Sequence, residues 1–386
     1  MAIPFALPGE EVRVVVRGKR ADVLARLSES TARHSPVCQH FGLPGDGCGG
    51  CTLQHWGEEA ALTLKAEKLL AALRQSYPYA EINCYYRSPP KSRRRAKFAV
   101  TPQGVGFHRL SSREVVHLRT CDVLQETIVD LIKPLAALAR DKHAELPPSF
   151  DAQATLTETG IDLAFHGVDE AQLSFAARER LAAFAEEHDL ARLSADGVTA
   201  AERRVPLVTL GGVSVALPAG AFLQATKDGE VALTKEVLDA AVGAERPVDL
   251  YCGIGTFALP LSDGRDVVAV EGYGPAIDVL QTAAKAADRN VAALKRDLVA
   301  RPLQASELQE FDMAVFDPPR AGAFEQARAL SAARVPTIVA VSCNPATLGR
   351  DVSMFAADYD LTRLVMVDQF GWSSHIEAVA VFHRRT

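Results

Sequence analysis

The sequence predicts an α/β protein with a Rossmann-like domain at its C-terminus, a central antiparallel β domain and a short N-terminal β segment. From about residue 228, apolar strands alternate with helical segments, which is typical of a parallel sheet with crossover helices. Between about residues 92 and 120, short β-rich runs separated by turn residues indicate antiparallel strands. With 386 residues of ordinary globular composition, the chain is long enough for two or three domains.

The N-terminal and central elements follow from local periodicity. Residues 11–17 alternate and then become β-branched, so we predict a strand there. Residues 57–75 carry apolar side chains at helical spacing, which predicts an amphipathic helix. We expect antiparallel strands at 97–100, 104–109 and 114–119, and an Ala-rich helix near 170–188. The expected domains are 1–30, 31–215 and 216–386.

The C-terminal elements alternate regularly: a helix begins near residue 228, and strands are predicted at 248–252, 267–271, 313–317 and 337–343. No apolar run is long enough to span a bilayer, and the N-terminus lacks the apolar core of a signal peptide, so we expect a cytoplasmic protein. In that compartment the seven cysteines are more typical of ligands or nucleophiles than of disulfides. Of these, Cys84 and Cys252 are expected to be small buried hydrophobes.

The charge of the chain is acidic overall but unevenly distributed. The formal net charge is −6, which gives no general attraction to nucleic acid. Residues 86–120 contain nine Arg or Lys and one acidic residue, so this segment carries +8 and the rest of the chain −14. Such a basic segment is either a local phosphate-binding surface or the solvated face of a small β domain.

A glycine-rich loop follows the strand at 248–252. Its G-x-G-x-x-A pattern lets the backbone pass close to a ligand at the carboxyl end of the strand. Glu271 ends the next strand, 22 residues after Asp249, where a carboxylate can accept both hydroxyls of a ribose. Asp297 is either a ligand for an adenine amine or a solvated acid. NAD enzymes share this pattern, so the loop alone predicts a nucleotide-like cofactor without a particular reaction.

Two further strands end in motifs that carry chemistry. Asp317, followed by two prolines and Arg320, places a carboxylate and a rigid turn at the edge of the sheet. Cys343 ends another strand, where a thiol is placed as a nucleophile, provided that its surroundings lower its pKa from about 8.5. Near the C-terminus, Glu377 is a candidate general base with His375 beside it, or both belong to an exposed strand edge.

Four other cysteines form a candidate ligand set. Cys48 and Cys51 have C-x-x-C spacing, Cys38 precedes them with nine residues between, and Cys121 follows after 69 intervening residues. Four thiolates suit either a 4Fe-4S cluster or a tetrahedral zinc ion, and the spacing does not separate the two. A C-x-x-C redox pair is a further interpretation, although no thioredoxin-like strand precedes it.

Together these residues resemble the S-adenosylmethionine-dependent RNA 5-methyluridine (uracil-C5) methyltransferases, of the iron–sulfur-containing type that modifies 23S ribosomal RNA. The resemblance extends from about Leu7 to the C-terminus and rests on five motifs in family order. They are CGGCTLQH at 48–55, FLQ at 222–224, DLYCGIGTF at 249–257, DPPRAG at 317–322 with SCNPATLGRD at 342–351, and HIE at 375–377. The resemblance implies a class I methyltransferase domain and a TRAM-like N-terminal segment.

The resemblance also implies roles for individual residues. Cys343 would be the nucleophile and Glu377 the base. The residues around S-adenosylmethionine and the reacting base would be Gln224, Tyr251, Gly253, Gly255, Thr256, Glu271, Asp297 and Asp317. A 4Fe-4S cluster would be held by Cys38, Cys48, Cys51 and Cys121. Residues 86–120 would then lie in the central RNA-contacting region.

The chain departs from the family pattern at three places. Only the last part of the small β-barrel RNA-binding domain is present at the N-terminus, within residues 7–28. Thr226 stands where the family usually has Asn, and Gly371-Trp372-Ser373-Ser374 replaces a Pro-His-Thr-like run. These changes flank the expected catalytic pair and do not remove it.

The expected substrate is ribosomal RNA, with transfer RNA as the alternative. We expect a monomer that binds RNA and no membrane. Two hypotheses of other classes remain: an amino-methyltransferase, in which Cys343 is only structural, and a non-catalytic, cluster-bearing RNA-binding or redox protein.

Overall fold

A computed structural model of the chain describes residues 3–18, 20–42 and 47–385. Its contacts divide the chain into two compact units, each assembled from segments distant in sequence. The first combines the chain up to Leu64 with Pro89–Val205 and Phe370–Ser374, and the second combines Lys65–Ser88, Pro206–Gln369 and the chain from His375 onward. The domain boundaries expected from the sequence stay a prediction.

The helices are α1 (Glu58–Leu73), α2 (Glu126–Val129), α3 (Ile132–Leu138), α4 (Phe175–Glu187), α5 (Lys227–Ala240), α6 (Ala258–Leu261), α7 (Gly274–Ala286), α8 (Ala305–Leu308), α9 (Phe324–Ala333) and α10 (Pro345–Val352). The strands are β1 (Val12–Arg17), β2 (Arg20–Arg26), β3 (Cys84–Arg87), β4 (Arg95–Thr101), β5 (Gly104–His108), β6 (Val115–His117), β7 (Phe150–Thr157), β8 (Gly160–His166), β9 (Arg192–Ala195), β10 (Val198–Glu202), β11 (Leu207–Leu210), β12 (Val213–Ala216), β13 (Pro247–Leu250), β14 (Val267–Glu271), β15 (Val291–Lys295), β16 (Met313–Phe316), β17 (Thr337–Ser342), β18 (Tyr359–Asp368) and β19 (Glu377–Arg384).

The first unit is built on a seven-stranded sheet in the order β10-β9-β8-β7-β4-β5-β6. Neighbouring strands are antiparallel, except that β8 and β9 run parallel. Because side chains alternate along a strand, one face of the sheet is apolar, and Phe98, Leu163 and Phe165 on that face are fully buried in one core cluster with residues of α2, α3 and α4. The predicted central strands and the Ala-rich helix are therefore confirmed. β1 and β2 form a separate antiparallel ribbon, and its relation to a TRAM domain stays a prediction.

The second unit is built on an eight-stranded sheet in the order β15-β14-β13-β16-β17-β19-β18-β3. The strands from β15 to β17 are parallel, as predicted, whereas β19 is antiparallel to both of its neighbours. The sequence analysis did not predict β3. This edge strand pairs with β18, about 280 residues further along the chain, so no local pattern could have indicated the pairing.

The order of the strands also fixes where a ligand can bind. The chain proceeds from β13 outward to β14 and β15, and then returns to add β16 on the other side of β13. Crevices form where the direction of winding reverses in this way, at the carboxyl ends of the strands. The glycine loop after β13 therefore lies at the expected ligand crevice. Among the described residues, none of the helices combines the length and apolarity needed to cross a membrane.

Candidate active site

The register of the sheet in the second unit gathers the predicted catalytic residues at one edge. β13 pairs with β16 and β16 with β17 in parallel, so the loops that follow these three strands leave the sheet side by side. β19 runs antiparallel to β17 and starts at the same edge. Ser342 pairs with Ala378, which places Cys343 opposite Glu377. Residues from the last two motifs of the series thus become direct neighbours.

The glycine loop after β13 has a backbone that few other sequences can adopt. Tyr251, Gly253 and Gly255 have φ angles of 64°, 55° and 98°, in the left-handed region that favours glycine. A Cβ at Gly255 would lie 2.6 Å from the Cδ1 atom of Leu280. The Glu271 carboxylate accepts the N–H of Gly253 at 3.1 Å. The loop therefore presents its backbone to a ligand at a fixed distance from that carboxylate.

The ends of β14 and β15 bring the two other predicted cofactor acids close together. Glu271 also accepts the N–H of Tyr273 at 2.8 Å, so both carboxylate oxygens are oriented by backbone donors. Asp297 is exposed, and its Oδ1 accepts the N–H groups of its own turn. A Cβ at Gly272 would lie 3.4 Å from the Asp297 Cα, which shows how near the two loops pass. Thr256 is half-buried at the end of the glycine loop.

Three carboxyl groups are held away from water at this edge. Burial raises the pKa of Asp317 from its ordinary value to about 7. Burial, followed by the neighbouring Asp317 carboxyl, also raises the pKa of Glu377 and that of the fully buried Asp249. Like charges in a low-dielectric site disfavour joint ionisation, which adds to the effect of burial on Glu377 and Asp249. Asp249 was not singled out from the sequence as a site residue, since an acid inside an apolar strand carries no distinctive local signal.

The surroundings of Cys343 do not lower the pKa of its thiol, although a nucleophilic thiol was expected to have a lowered pKa. Burial raises the pKa of the thiol to about 11, and the Glu377 and Asp317 carboxyls add to the rise. Arg320 has the opposite effect but is the weakest contributor. A raised pKa favours the protonated thiol near neutral pH. His375 is exposed, whereas Glu377 is buried, so the structure separates these two residues.

Hydrogen bonds tie the DPPRAG loop to helix α10. The Asn344 side chain caps α10 by accepting the Ala346 N–H at 3.1 Å and donates to the Arg320 carbonyl at 3.2 Å. The buried carboxylate of Asp351 accepts the Ala323 N–H at 2.6 Å. The two motifs that hold Asp317 and Cys343 are therefore fixed to each other, which explains why they occur together in the sequence.

Gln224, from the FLQ motif, completes the site. Its side chain is 2% exposed, and its Nε2 lies 3.5 Å from an Asp317 carboxylate oxygen. Its Oε1 accepts a hydrogen bond of 2.8 Å from Gln369, a buried residue that the sequence analysis missed. A signal was present, because Gln369 follows the apolar run of β18 directly after Asp368, but two polar residues at a strand end are more typical of solvent exposure.

The four predicted ligand cysteines lie in the first unit. Burial raises the pKa of Cys48 to about 11 and that of Cys51 to about 12, and in both cases the thiols of Cys121 and Cys38 add to the rise. The four sulfur atoms therefore share one neighbourhood. However, within the described ranges 3–18, 20–42 and 47–385, no group of three or more His, Cys, Asp or Glu side chains is placed to hold a metal ion.

The basic segment at 86–120 differs from the open cationic surface that its charge suggested. Arg94 is 7% exposed, and Arg93 is largely buried, donates to the Arg95 carbonyl at 2.9 Å and lies over the Phe370 ring. Lys97 forms an ion pair with Asp151 at 2.8 Å. The arginine triplet therefore serves the first unit's own packing, and the exposed cations of the segment include Arg113 and Arg119.

Comparison with known proteins decides the family. The sequence profile of the tRNA (Uracil-5-)-methyltransferases matches residues 219–385. An RNA methyltransferase of Caulobacter vibrioides is 40% identical, over 99% of this chain and 94% of its own length. The 23S rRNA (uracil(1939)-C(5))-methyltransferase RlmD of Shewanella piezotolerans is 33% identical, over 98% of this chain and 89% of its own. The chain belongs to the RNA (uracil-C5)-methyltransferase family.

Membership confirms the resemblance found in the sequence and makes this chain an S-adenosylmethionine-dependent RNA (uracil-C5)-methyltransferase. The fold agrees. The crystal structure of Pyrococcus abyssi tRNA (uracil-54, C5)-methyltransferase in complex with S-adenosyl-L-homocysteine matches this uracil-C5 methyltransferase with a TM-score of 0.76 and 23% identity, over 98% of this chain and 95% of that one. The α/β architecture predicted from the sequence is therefore confirmed.

Proposed function

We propose that this enzyme methylates C5 of a uridine in ribosomal RNA through a covalent adduct between Cys343 and C6 of the base. The observation that carries the proposal is the register of β17 and β19, which sets Cys343 opposite Glu377 beside the glycine loop. A nucleophile facing a buried carboxyl at a cofactor crevice is the arrangement that covalent catalysis followed by proton removal requires.

The residues divide the reaction into two steps. The Cys343 thiolate bonds to C6, and the electron pair of the C5–C6 double bond moves into an enolate with density at C5. S-adenosylmethionine would supply the methyl group, which C5 accepts as S-adenosylhomocysteine leaves, and its positive charge would favour the thiolate and carboxylate forms of the surrounding side chains. The Glu377 carboxylate then takes the C5 proton, the double bond reforms, and the thiolate leaves C6. A positioned base of this kind contributes about 10²–10⁴-fold to the rate.

The remaining site residues bind and orient. We assign the glycine loop, Glu271, Asp297 and Thr256 to the cofactor, because the carboxylate of Glu271 is oriented by the loop and faces the crevice. Gln224 contacts Asp317, whose carboxyl is near enough to Cys343 and Glu377 to raise the pKa of both. The target uridine must be single-stranded or flipped out of a helix, at a cost of roughly a few kcal/mol, because C6 is inaccessible inside a stacked duplex.

Ribosomal RNA is proposed as the substrate because RlmD of Shewanella piezotolerans matches this chain over nearly its whole length. The test is mass mapping of 5-methyluridine in ribosomal and transfer RNA from a deletion strain and from the same strain complemented with the gene. Loss and recovery of one 5-methyluridine in ribosomal RNA supports the proposal. Loss in transfer RNA would move the substrate to that class, and no loss in either would refute both.

We also propose that Cys38, Cys48, Cys51 and Cys121 hold a 4Fe-4S cluster. The support is the donor set and the shared neighbourhood of the four thiols. When bound, the cluster would cross-link the loop that carries three of the cysteines to the segment that carries Cys121. Anaerobically purified protein is expected to be brown with about four iron atoms per chain. A colourless protein that contains zinc instead would contradict the assignment.

A further inference from the structure

Gln369 lies next to the carboxyl of Glu377, the proposed base. It belongs to none of the five family motifs. Its side chain follows β18 and is 3% exposed. Its Nε2 donates to the Oε1 of Gln224 at 2.8 Å, and its own Oε1 accepts the N–H of Thr226 at 3.3 Å. The Gln369 side chain also hydrogen-bonds to the Glu377 carboxyl, where it opposes the rise in the pKa of that group.

These contacts fix which way the amide points. A glutamine amide has two donors on nitrogen and an acceptor oxygen. Because the Thr226 N–H requires the oxygen, the nitrogen must face Gln224. The flipped amide would set two donors against each other at Thr226. One side chain thereby orients the Gln224 amide and also counteracts the rise in the pKa of the proposed base.

The Gln369 side chain is closely packed against its neighbours. A Cβ at Gly229 would lie 2.7 Å from the Gln369 Oε1 and 2.8 Å from the Thr226 Oγ1, so only glycine allows this approach. Thr226 caps α5 by accepting the Gly229 N–H at 3.0 Å and shares a 2.6 Å hydrogen bond with Ser88. The backbone N–H of Thr226 thus holds the Gln369 oxygen, while the Thr226 side chain caps α5.

The residue before Gln369 is anchored as firmly. Asp368 is 2% exposed and forms an ion pair with the 1%-exposed Lys65 at 2.7 Å. The carbonyl of Asp368 accepts the N–H of Ser88 at 3.0 Å. A buried ion pair of this kind fixes the backbone from which the Gln369 side chain projects. Both the backbone and the terminal amide of this side chain are therefore held in place.

We propose that Gln369 is a positioning residue of the methyl-transfer site, which orients Gln224 and aims the Glu377 carboxylate through a single amide group. The inference rests on the proposed function, since Glu377 acts there as the base. The Gln224 oxygen accepts from Gln369, which turns the N–H donors of Gln224 toward Asp317. A carbonyl oxygen of the target base is the kind of group that such donors recognise.

The test compares Gln369→Met, which keeps the length of the side chain but removes its polar atoms, with Gln326→Met as a matched control. Gln326 is 1% exposed in α9, accepts the Leu303 N–H at 2.9 Å and lies outside the assigned site. For each protein we would measure thermal melting, S-adenosylhomocysteine binding, and single-turnover methylation against pH. The substrate is the ribosomal or transfer RNA from the deletion strain that the wild type methylates.

We expect Gln369→Met to lose about 10²-fold in the single-turnover rate, the size of effect that misplacing a reacting group produces. The acidic limb of its pH profile should move to higher pH, because Glu377 loses a donor that stabilises its ionised form. Asp317 and Cys343, the titratable groups that face Glu377, remain in every variant. S-adenosylhomocysteine binding should change little, and Gln326→Met should keep the wild-type rate and profile.

Three outcomes overturn the inference: an unchanged rate and profile for Gln369→Met, equal rate losses in both variants, or a loss that melting and cofactor binding fully account for. Failure of the proposed function is distinguishable, since the wild type itself would then methylate neither RNA. Gln369→Glu sharpens the result. It places a third carboxyl beside Asp317 and Glu377, so its acidic limb should move further than that of the Met variant.

Discussion

The catalytic edge of the second unit and the cysteine loop of the first unit are both clusters of reactive side chains, but they are held in different ways. At the catalytic edge, strand register sets Cys343 against Glu377, and side-chain hydrogen bonds orient Gln224 and Glu271. The cysteines instead stand on irregular segments, where Cys48 makes an isolated bridge to Arg109.

The catalytic edge is formed by the fold itself, because the parallel pairing of β13, β16 and β17 and the antiparallel pairing of β17 with β19 impose its geometry. The four thiols share a neighbourhood, yet the described residues do not set them at the distances of a metal ion. Burial raises the pKa of each thiol, so a bound metal group would have to displace protons to form the thiolates.

Replacing the nucleophile should have the largest effect on the catalytic edge. We expect Cys343→Ala to reduce methylation of the target RNA below detection while S-adenosylhomocysteine binding persists, since the cofactor crevice is formed by other residues. Cys84→Ala, a thiol on the edge strand β3, should keep full activity. Full-rate methylation by Cys343→Ala, measured by transfer of labelled methyl groups, would favour an amino-methyltransferase mechanism.

Replacing the base should stop the reaction one step later. Glu377→Gln keeps the shape of the side chain but cannot accept the C5 proton, so turnover should fall by about 10²–10⁴-fold. The methylated RNA should remain bonded to Cys343 and appear as a slowly migrating complex on a denaturing gel. A variant that loses turnover without accumulating this complex would show that Glu377 acts before methyl transfer.

Breaking the cysteine loop should affect the first unit and spare the cofactor site. We expect Cys51→Ser to lose the visible absorbance and most of the iron, and to lower the melting temperature of the protein. S-adenosylhomocysteine affinity should remain close to that of the wild type, because the proposed cofactor residues belong to the second unit. Iron analysis and calorimetric binding would check this. Equal iron contents in variant and wild type would exclude Cys51 as a ligand.

The buried carboxyls should make stability depend on pH in a definite direction. Because the pKa of Asp317 is raised to about 7, the folded state holds a proton that the unfolded chain has released above about pH 4. The stability of the folded state should therefore fall as pH rises from about 4 to 7. Asp317→Asn should weaken this dependence, which denaturant unfolding at several pH values would reveal. An identical slope in the variant would place the effect on other groups.

The exposed cations of the basic segment should have the smallest effect. Charge reversal at Arg113 and Arg119 is expected to weaken RNA binding and to reduce its salt dependence by about one ion per lost phosphate contact. Titrations of RNA at several salt concentrations would measure the slope. Arg94→Glu, at a 7%-exposed position, should instead destabilise the first unit. If the double reversal leaves both affinity and slope unchanged, the segment is a solvated surface.

Much of this enzyme could be predicted from local patterns. The alternation of strands and helices after residue 228 predicted the parallel sheet, and the glycine loop predicted a cofactor crevice at the end of β13. The DPPRAG and SCNPATLGRD motifs predicted a carboxylate and a thiol at neighbouring strand ends. These inferences succeed because helix and strand periodicity, and the position of a residue at a strand end, are properties of short segments.

Other features depended on contacts between distant segments. Local sequence could not show that Gln369 reaches Gln224, because 145 residues separate them. The arginine triplet at 93–95 carried the charge of a binding surface but is used for packing. The pKa of Cys343 was expected to need lowering, yet burial and then the carboxyls of Glu377 and Asp317 raise it.

The sequence by itself determined the elements, the family and the residue types of the catalytic edge, since these are encoded in motifs of ten residues or fewer. Only the tertiary structure decided which of those residues face each other, how deeply each is buried and how their charges interact. The physical reason is that burial and Coulomb energy depend on distances in space, and strand register converts separations of many tens of residues into direct contacts.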